Sequence, residues 1–186
     1  MVQKKPASAS HSRRIFIGLW PDATTMQALG PLSTAALEQC KGRPLLAHQW
    51  HITLAFLGEL SLSAVDSLCA RAQQWALPGA PFLLDRYGCF ADSRIVWVGS
   101  EHAAAQKSMA HTHAVLWQQL EGLGYTPEPR AFVPHVSLLR QAQSFRLELL
   151  PKFVPFAWQS ASCQVVASSP RAGATHYECL AHIPLY

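Results

Sequence analysis

The chain has 186 residues, 14% of them charged and 49% from the AVILMFWYC set. These values exclude a disordered or fibrous protein and supply one ordinary domain, or two small lobes on a shared core, without need of a disulfide framework. The net charge of +4 is concentrated in Lys4, Lys5, Arg13 and Arg14, and from Ile15 onward basic and acidic residues balance. A uniformly basic face is thereby excluded, and an anionic ligand has to be held by a few local groups.

Residues 1–13, rich in Ser, Ala and Lys, read as a disordered basic leader, and 14–186 as a single domain of two lobes. Arg14 to Trp20 is a short apolar run closed by Pro21-Asp22, which predicts a buried strand and a helix capped by Asp22 that continues to about Cys40. Gln49 to Gly58 is strand-like, and Ser61-Leu62-Ser63 opens an amphipathic helix expected to reach Leu77 before Pro78-Gly79. Pro81 to Phe90 and Arg94 to Gly99 form a predicted antiparallel hairpin about Ala91-Asp92-Ser93. A helix over about Ala103 to Glu121 follows, then strands over Phe132 to Leu139, Cys163 to Ala167 and His176 to Ile183. The expected class is α+β: two pseudo-symmetric lobes, mostly antiparallel sheets flanking a central cleft, helices on the outer faces.

Cys40, Cys69, Cys89, Cys163 and Cys179 are odd in number, with no CxxC pair, which argues against a zinc ribbon or a disulfide scaffold and for a reducing, cytoplasmic setting. The apolar run after the basic start is too short for a signal peptide, and nothing reaches transmembrane length, so no membrane partner is expected.

A weak internal echo carries the chemistry. His51-Ile52-Thr53-Leu54 and His135-Val136-Ser137-Leu138 stand 84 residues apart. On a strand, His51 and Thr53 share one face and Ile52 and Leu54 the other, and the same parity sets His135 beside Ser137. Two such strands brought together present two imidazoles and two hydroxyls around one cleft. A neutral imidazole can take a proton from water while a protonated one gives a proton to a leaving alkoxide, and the unperturbed pKa of about 6.5 lets both states coexist near neutrality. The hydroxyls can bond the non-bridging oxygens of a phosphate.

At these residues the chain resembles the 2H phosphoesterase superfamily and, within it, the bacterial LigT-like RNA 2′,3′-cyclic phosphodiesterases. Two H-x-[T/S]-x tetrapeptides carry the resemblance, inside HITLAFLGEL and RAFVPHVSLLR, with an opening RIFIGLW strand and a closing Tyr177-Glu178-Cys179-Leu180 strand. It spans about 14–186 and implies opening of a 2′,3′-cyclic phosphate, on an RNA end or a small nucleoside, to a 2′-phosphate, together with reversible 2′–5′ RNA ligation. It implies His51 as proton donor, His135 as proton acceptor and Thr53 and Ser137 as phosphate-contacting groups. No metal and no cofactor are implied, and a monomer is expected. Ser137 stands where threonine is commoner in the family.

Arg130 and Arg140 flank the second motif as sources of positive charge. Arg140 lies at an odd separation from His135 and reaches the cleft only if the strand ends near Leu139, so Arg130 is preferred. His111-x-His113 falls in a predicted helix, where an i, i+2 pair diverges, and reads as surface. Trp50, Trp75, Trp97, Trp117 and Trp158 read as packing residues, with Phe16 and Trp20 as exceptions because the opening strand lies in the cleft of relatives. The rivals are action on another cyclic phosphate or a 2′–5′ linkage, a non-catalytic RNA-end-binding module, and a metal-dependent hydrolase using His111, His113 and a carboxylate.

Overall fold

The computed structural model describes residues 12–79, 82–171 and 174–186; residues 1–11 of the expected leader, and Pro81 at the start of an expected strand, lie outside the described residues. In chain order the elements are β1 (Ser12–Pro21), α1 (Ala23–Cys40), β2 (Arg43–Pro44), β3 (Ile52–Ser61), α2 (Leu62–Ala72), β4 (Phe82–Leu84), β5 (Arg86–Phe90), β6 (Ile95–Gly99), α3 (Ala103–Glu121), β7 (His135–Arg140), β8 (Phe156–Trp158), β9 (Ser160–Arg171) and β10 (Ala174–Ile183). Ser12 and Arg13 thus belong to the first strand.

One sheet runs β10-β9-β1-β3-β7-β6-β5, with β2 against β7, and β4 and β8 form a separate pair. Every named pairing is antiparallel. Between β3 and β7 the only registered pair among the described residues is Ile52 with Val136. The sheet is therefore two half-sheets hinged at one point, β10-β9-β1-β3 on one side and β7-β6-β5 on the other, which is the two-lobed α+β architecture expected from the sequence.

Local chemistry sets the helix starts. The Asp22 side chain accepts from the Thr25 N–H at 2.7 Å, and Ser61 Oγ accepts from the Ala64 N–H at 3.3 Å. Each helix buries one stripe: Leu29, Leu32, Ala36 and Cys40 on α1, Val65, Leu68 and Ala72 on α2, Met109, Leu116 and Leu120 on α3. The second helix ends at Ala72, short of the expected Leu77. The chain leaves the helix there to bury Trp75 and Leu77 and to bond the Leu77 N–H to the Pro184 carbonyl at 2.9 Å, a tertiary gain that outweighs helix continuation. Ile17, in the central strand β1, is fully buried, so Ile17→Val is expected to lower unfolding free energy by about 1 kcal/mol, read as a lower denaturant midpoint at unchanged slope.

All five cysteines are free. Among the described residues no helix is long and apolar enough to cross a membrane.

Candidate active site

The single junction between β3 and β7 brings the two tetrapeptides together. Strand alternation sends Ile52, Leu54, Val136 and Leu138 into the core, and leaves His51, Thr53, His135 and Ser137 on the opposite, cleft-facing side. Extending the register one step either way sets His51 across from Ser137 and Thr53 across from His135. Diagonal neighbours in such a register stand about 7–8 Å apart, which leaves room for one phosphate between the imidazoles.

Both rings are held the same way. His51 Nδ1 lies 2.6 Å from the Gln49 carbonyl oxygen, and His135 Nδ1 lies 2.7 Å from that of Val133. A carbonyl only accepts, so Nδ1 carries the hydrogen in each ring and Nε2 is the nitrogen that gains or loses a proton. His51 Nε2 lies 3.0 Å from Thr53 Oγ1, the same-face neighbour anticipated by strand parity. Ser137 lies opposite Trp97 in the β6–β7 register.

The free protein holds both imidazoles neutral at neutral pH. Burial is the largest cause: it drives His51, only 8% exposed, down to about 4, with Arg140 and His135 pushing the same way and the Gln49 carbonyl opposing. Burial also lowers His135, reinforced by Arg130 and Arg140 and opposed by the Val133 carbonyl. Coexistence of protonated and neutral rings near pH 7, expected from the unperturbed value, is thus absent in the free site because desolvation penalises the charged form. An anion between the rings favours imidazolium and raises both values.

Arg140 is where simple alternation fails. Val96 pairs with Leu139 and Trp97 with Ser137, so β7 spends one extra residue at Leu138. Leu138 and Leu139 are both buried, and Arg140 returns to the face of His135 and Ser137. β3 repeats the device: Ile17 pairs with Ala55 and Gly18 with Thr53, Leu54 and Ala55 are both buried, and Phe56 returns to the cleft face. Two adjacent apolar residues after each H-x-[T/S] are the sequence signal for these bulges. Arg130 stands on the loop before β7, exposed and ion-paired with Glu128, and its charge reaches His135.

Aromatic rings wall the two imidazoles. Trp20 stacks on His51 at 5.0 Å between centroids, Phe16 lies at 4.9 Å and Tyr177 meets it edge-on at 5.5 Å. On the other side Phe90 lies edge-on to His135 at 4.9 Å and Trp97 at 5.9 Å. Trp97, read from sequence as packing, belongs to this wall rather than to the main core. Gly18 makes the space for His51, since a Cβ there would sit 2.9 Å from the Ile52 oxygen and 3.2 Å from His51 Cδ2. Gly18→Ala is expected to lower kcat by about 10²-fold, because the Ile52 backbone and the His51 ring must both shift to admit the methyl group, checked by steady-state kinetics beside a melting curve that reports any loss of stability.

The remaining histidine pair takes no part. His113 accepts from Trp117 Nε1 at 2.9 Å and stacks on Phe132 at 4.0 Å, a packing role rather than the surface position expected, and His111 is exposed. Among the described residues no group of three or more His, Cys, Asp or Glu is placed to hold a metal ion.

Comparison with known proteins gives the family of the chain. A family model described as the 2′-5′ RNA ligase superfamily matches residues 19–166. The chain is 32% identical over 136 residues to the RNA 2′,3′-cyclic phosphodiesterase of Escherichia coli (strain K12), covering 73% of this chain and 76% of that one. It is 31% identical over 134 residues to the RNA 2′,3′-cyclic phosphodiesterase of Geobacillus stearothermophilus, covering 69% of this chain and 42% of that relative. The fold matches E. coli LigT in apo form with a TM-score of 0.74 at 27% identity, over 95% of this chain and 99% of LigT. The LigT complex with 3′-AMP matches with a TM-score of 0.75 at 27% identity, over 94% and 98%. With the family model spanning most of the chain and two relatives above 30% identity, the chain belongs to the 2′-5′ RNA ligase superfamily.

Proposed function

We propose that this protein opens 2′,3′-cyclic phosphates at RNA ends or on nucleosides, leaving a 2′-phosphate, by acid–base catalysis between His51 and His135. The observation that carries the reading is the matched pair of imidazoles on one cleft face, each with Nδ1 tied to a backbone carbonyl and Nε2 left to exchange a proton. His135 Nε2 takes the proton of the attacking water, and His51 Nε2 gives one to the departing 3′ oxygen on the opposite side of phosphorus. Thr53 and Ser137 donate hydrogen bonds to the non-bridging oxygens, and Arg140 and Arg130, whose charges both reach His135, neutralise the charge gathered there. With a 5′-hydroxyl RNA end in place of water, the same displacement of the 3′ oxygen forms a 2′–5′ bond, and by microscopic reversibility the neighbouring 3′-hydroxyl can break that bond again. The relatives named for RNA 2′,3′-cyclic phosphodiesterase activity support this substrate class. No step is assigned to a metal ion or a cofactor.

The test is a substrate panel. Adenosine 2′,3′-cyclic phosphate is expected to turn over, whereas adenosine 3′,5′-cyclic phosphate is not; the opposite order overturns the reading.

The pH dependence follows from the two lowered histidines. The active form carries one proton on the pair, so kcat/KM, which reports the free protein, is expected to peak between two values that both lie below 6.5 and to fall as pH rises further. The profile of kcat, which reports the complex, is expected to peak at higher pH, because the bound anion stabilises imidazolium. A kcat/KM maximum above pH 7 contradicts the electrostatics described.

A further inference from the structure

Three arginines converge on the cleft beside Tyr177, and the two-histidine chemistry uses only one of them. Arg43 on β2 stands directly across from Arg140 on β7, so the two share the cleft-facing side. Arg14 on β1 shares the side of Phe16, two residues on, and its guanidinium lies over the Phe56 ring at 4.7 Å. Like charges set opposite each other across a strand pair cost stability, and a bound anion removes that cost.

The three are not equivalent. Arg140 acts on both histidines and so borders the reacting phosphate. Tyr177, the edge-on neighbour of His51, feels Arg140, then Arg43, then Arg14, each favouring its phenolate against the larger opposing effect of burial. Positive charge therefore continues from the histidine pair past Tyr177 toward β1 and β2. This answers the charge balance of the chain, which requires any anionic ligand to be held by a few local groups.

We propose that Arg43 and Arg14 hold a second phosphate, the 5′-phosphate of the nucleoside whose 2′,3′-cyclic phosphate lies between His51 and His135, so that the site favours an RNA terminus over a free nucleoside cyclic phosphate. The inference rests on the reaction proposed above and adds the substrate length. Guanidinium forks suit a phosphate at such a place, and the contact is uniform binding, made alike in the ground and transition states, so it lowers KM more than it raises kcat.

The experiment reads binding, which needs no turnover. Adenosine 2′,5′-bisphosphate and adenosine 2′-monophosphate are titrated by calorimetry at low salt into the wild-type chain and into Arg43→Gln, Arg14→Gln and Arg71→Gln. The wild type is expected to bind the bisphosphate at least tenfold more tightly. Arg43→Gln is expected to bring the ratio to within threefold of one, Arg14→Gln to reduce it severalfold, and Arg71→Gln, exposed on α2, to leave it unchanged. Arg14 is solvent-exposed, so its variant keeps the test valid should Arg43→Gln fold poorly. Equal binding of the two ligands by the wild type, or a ratio retained in both Arg43→Gln and Arg14→Gln, overturns the proposal. A chain that prefers the bisphosphate through these arginines yet opens no cyclic phosphate keeps the second phosphate site and loses the reaction.

Discussion

Replacing either His51 or His135 by alanine is expected to lower kcat for a nucleoside 2′,3′-cyclic phosphate by about 10²–10⁴-fold, the range that one positioned proton-transfer group contributes. The two effects should not add. One ring activates water and the other protonates the leaving oxygen in the same displacement, so the double variant is expected to be little worse than either single one. Reduced folding would imitate this result at His51, which is buried under Trp20 and Phe16. A melting curve and product binding separate the cases: a chemical role leaves affinity for adenosine 2′-monophosphate within a few fold, whereas a collapsed cleft loses it. Full activity in either single variant would remove that histidine from the mechanism.

Arg140→Gln is expected to reduce kcat/KM by about 10²-fold, the loss typical of removing one group that stabilises developing charge. It carries a second readout that a packing role would not move. Arg140 lowers the pKa of both His51 and His135, so its removal relieves repulsion of the imidazolium forms and raises both values. The kcat/KM maximum is therefore expected to shift toward higher pH in the variant. A large loss of activity with an unmoved profile would place Arg140 outside the field of the histidines.

Alternation alone was enough to set each histidine beside its hydroxyl, because His51–Thr53 and His135–Ser137 each span two residues of uninterrupted strand. The same rule misplaced Arg140, since one extra residue at Leu138 reverses parity beyond Ser137. The doubled apolar positions Leu54-Ala55 and Leu138-Leu139 carry that information, but a buried pair in a strand only announces a bulge once its partner strand is known. Trp97 was illegible for a related reason. Its ring faces the cleft because Gly88 lies across from it on β5, where a Cβ would fall 2.2 Å from the indole, a relation between strands that no local pattern contains. The lowered histidine values likewise follow from packing, not from residue type. The expected strand over Pro81 to Phe90 divides into β4 and β5, and the pairing of β4 with β8 lay beyond sequence reading, because the three residues of β8 carry too little periodicity to register.

The most direct test of the central claim is turnover of a nucleoside 2′,3′-cyclic phosphate in excess chelator, with the product isomer identified by phosphorus NMR for the wild type, His51→Ala and His135→Ala. The 2′-phosphate is expected as sole product, at a rate the chelator does not change, with each substitution lowering that rate at least a hundredfold. An inert or chelator-sensitive wild type, or product formed equally fast without either imidazole, would contradict it.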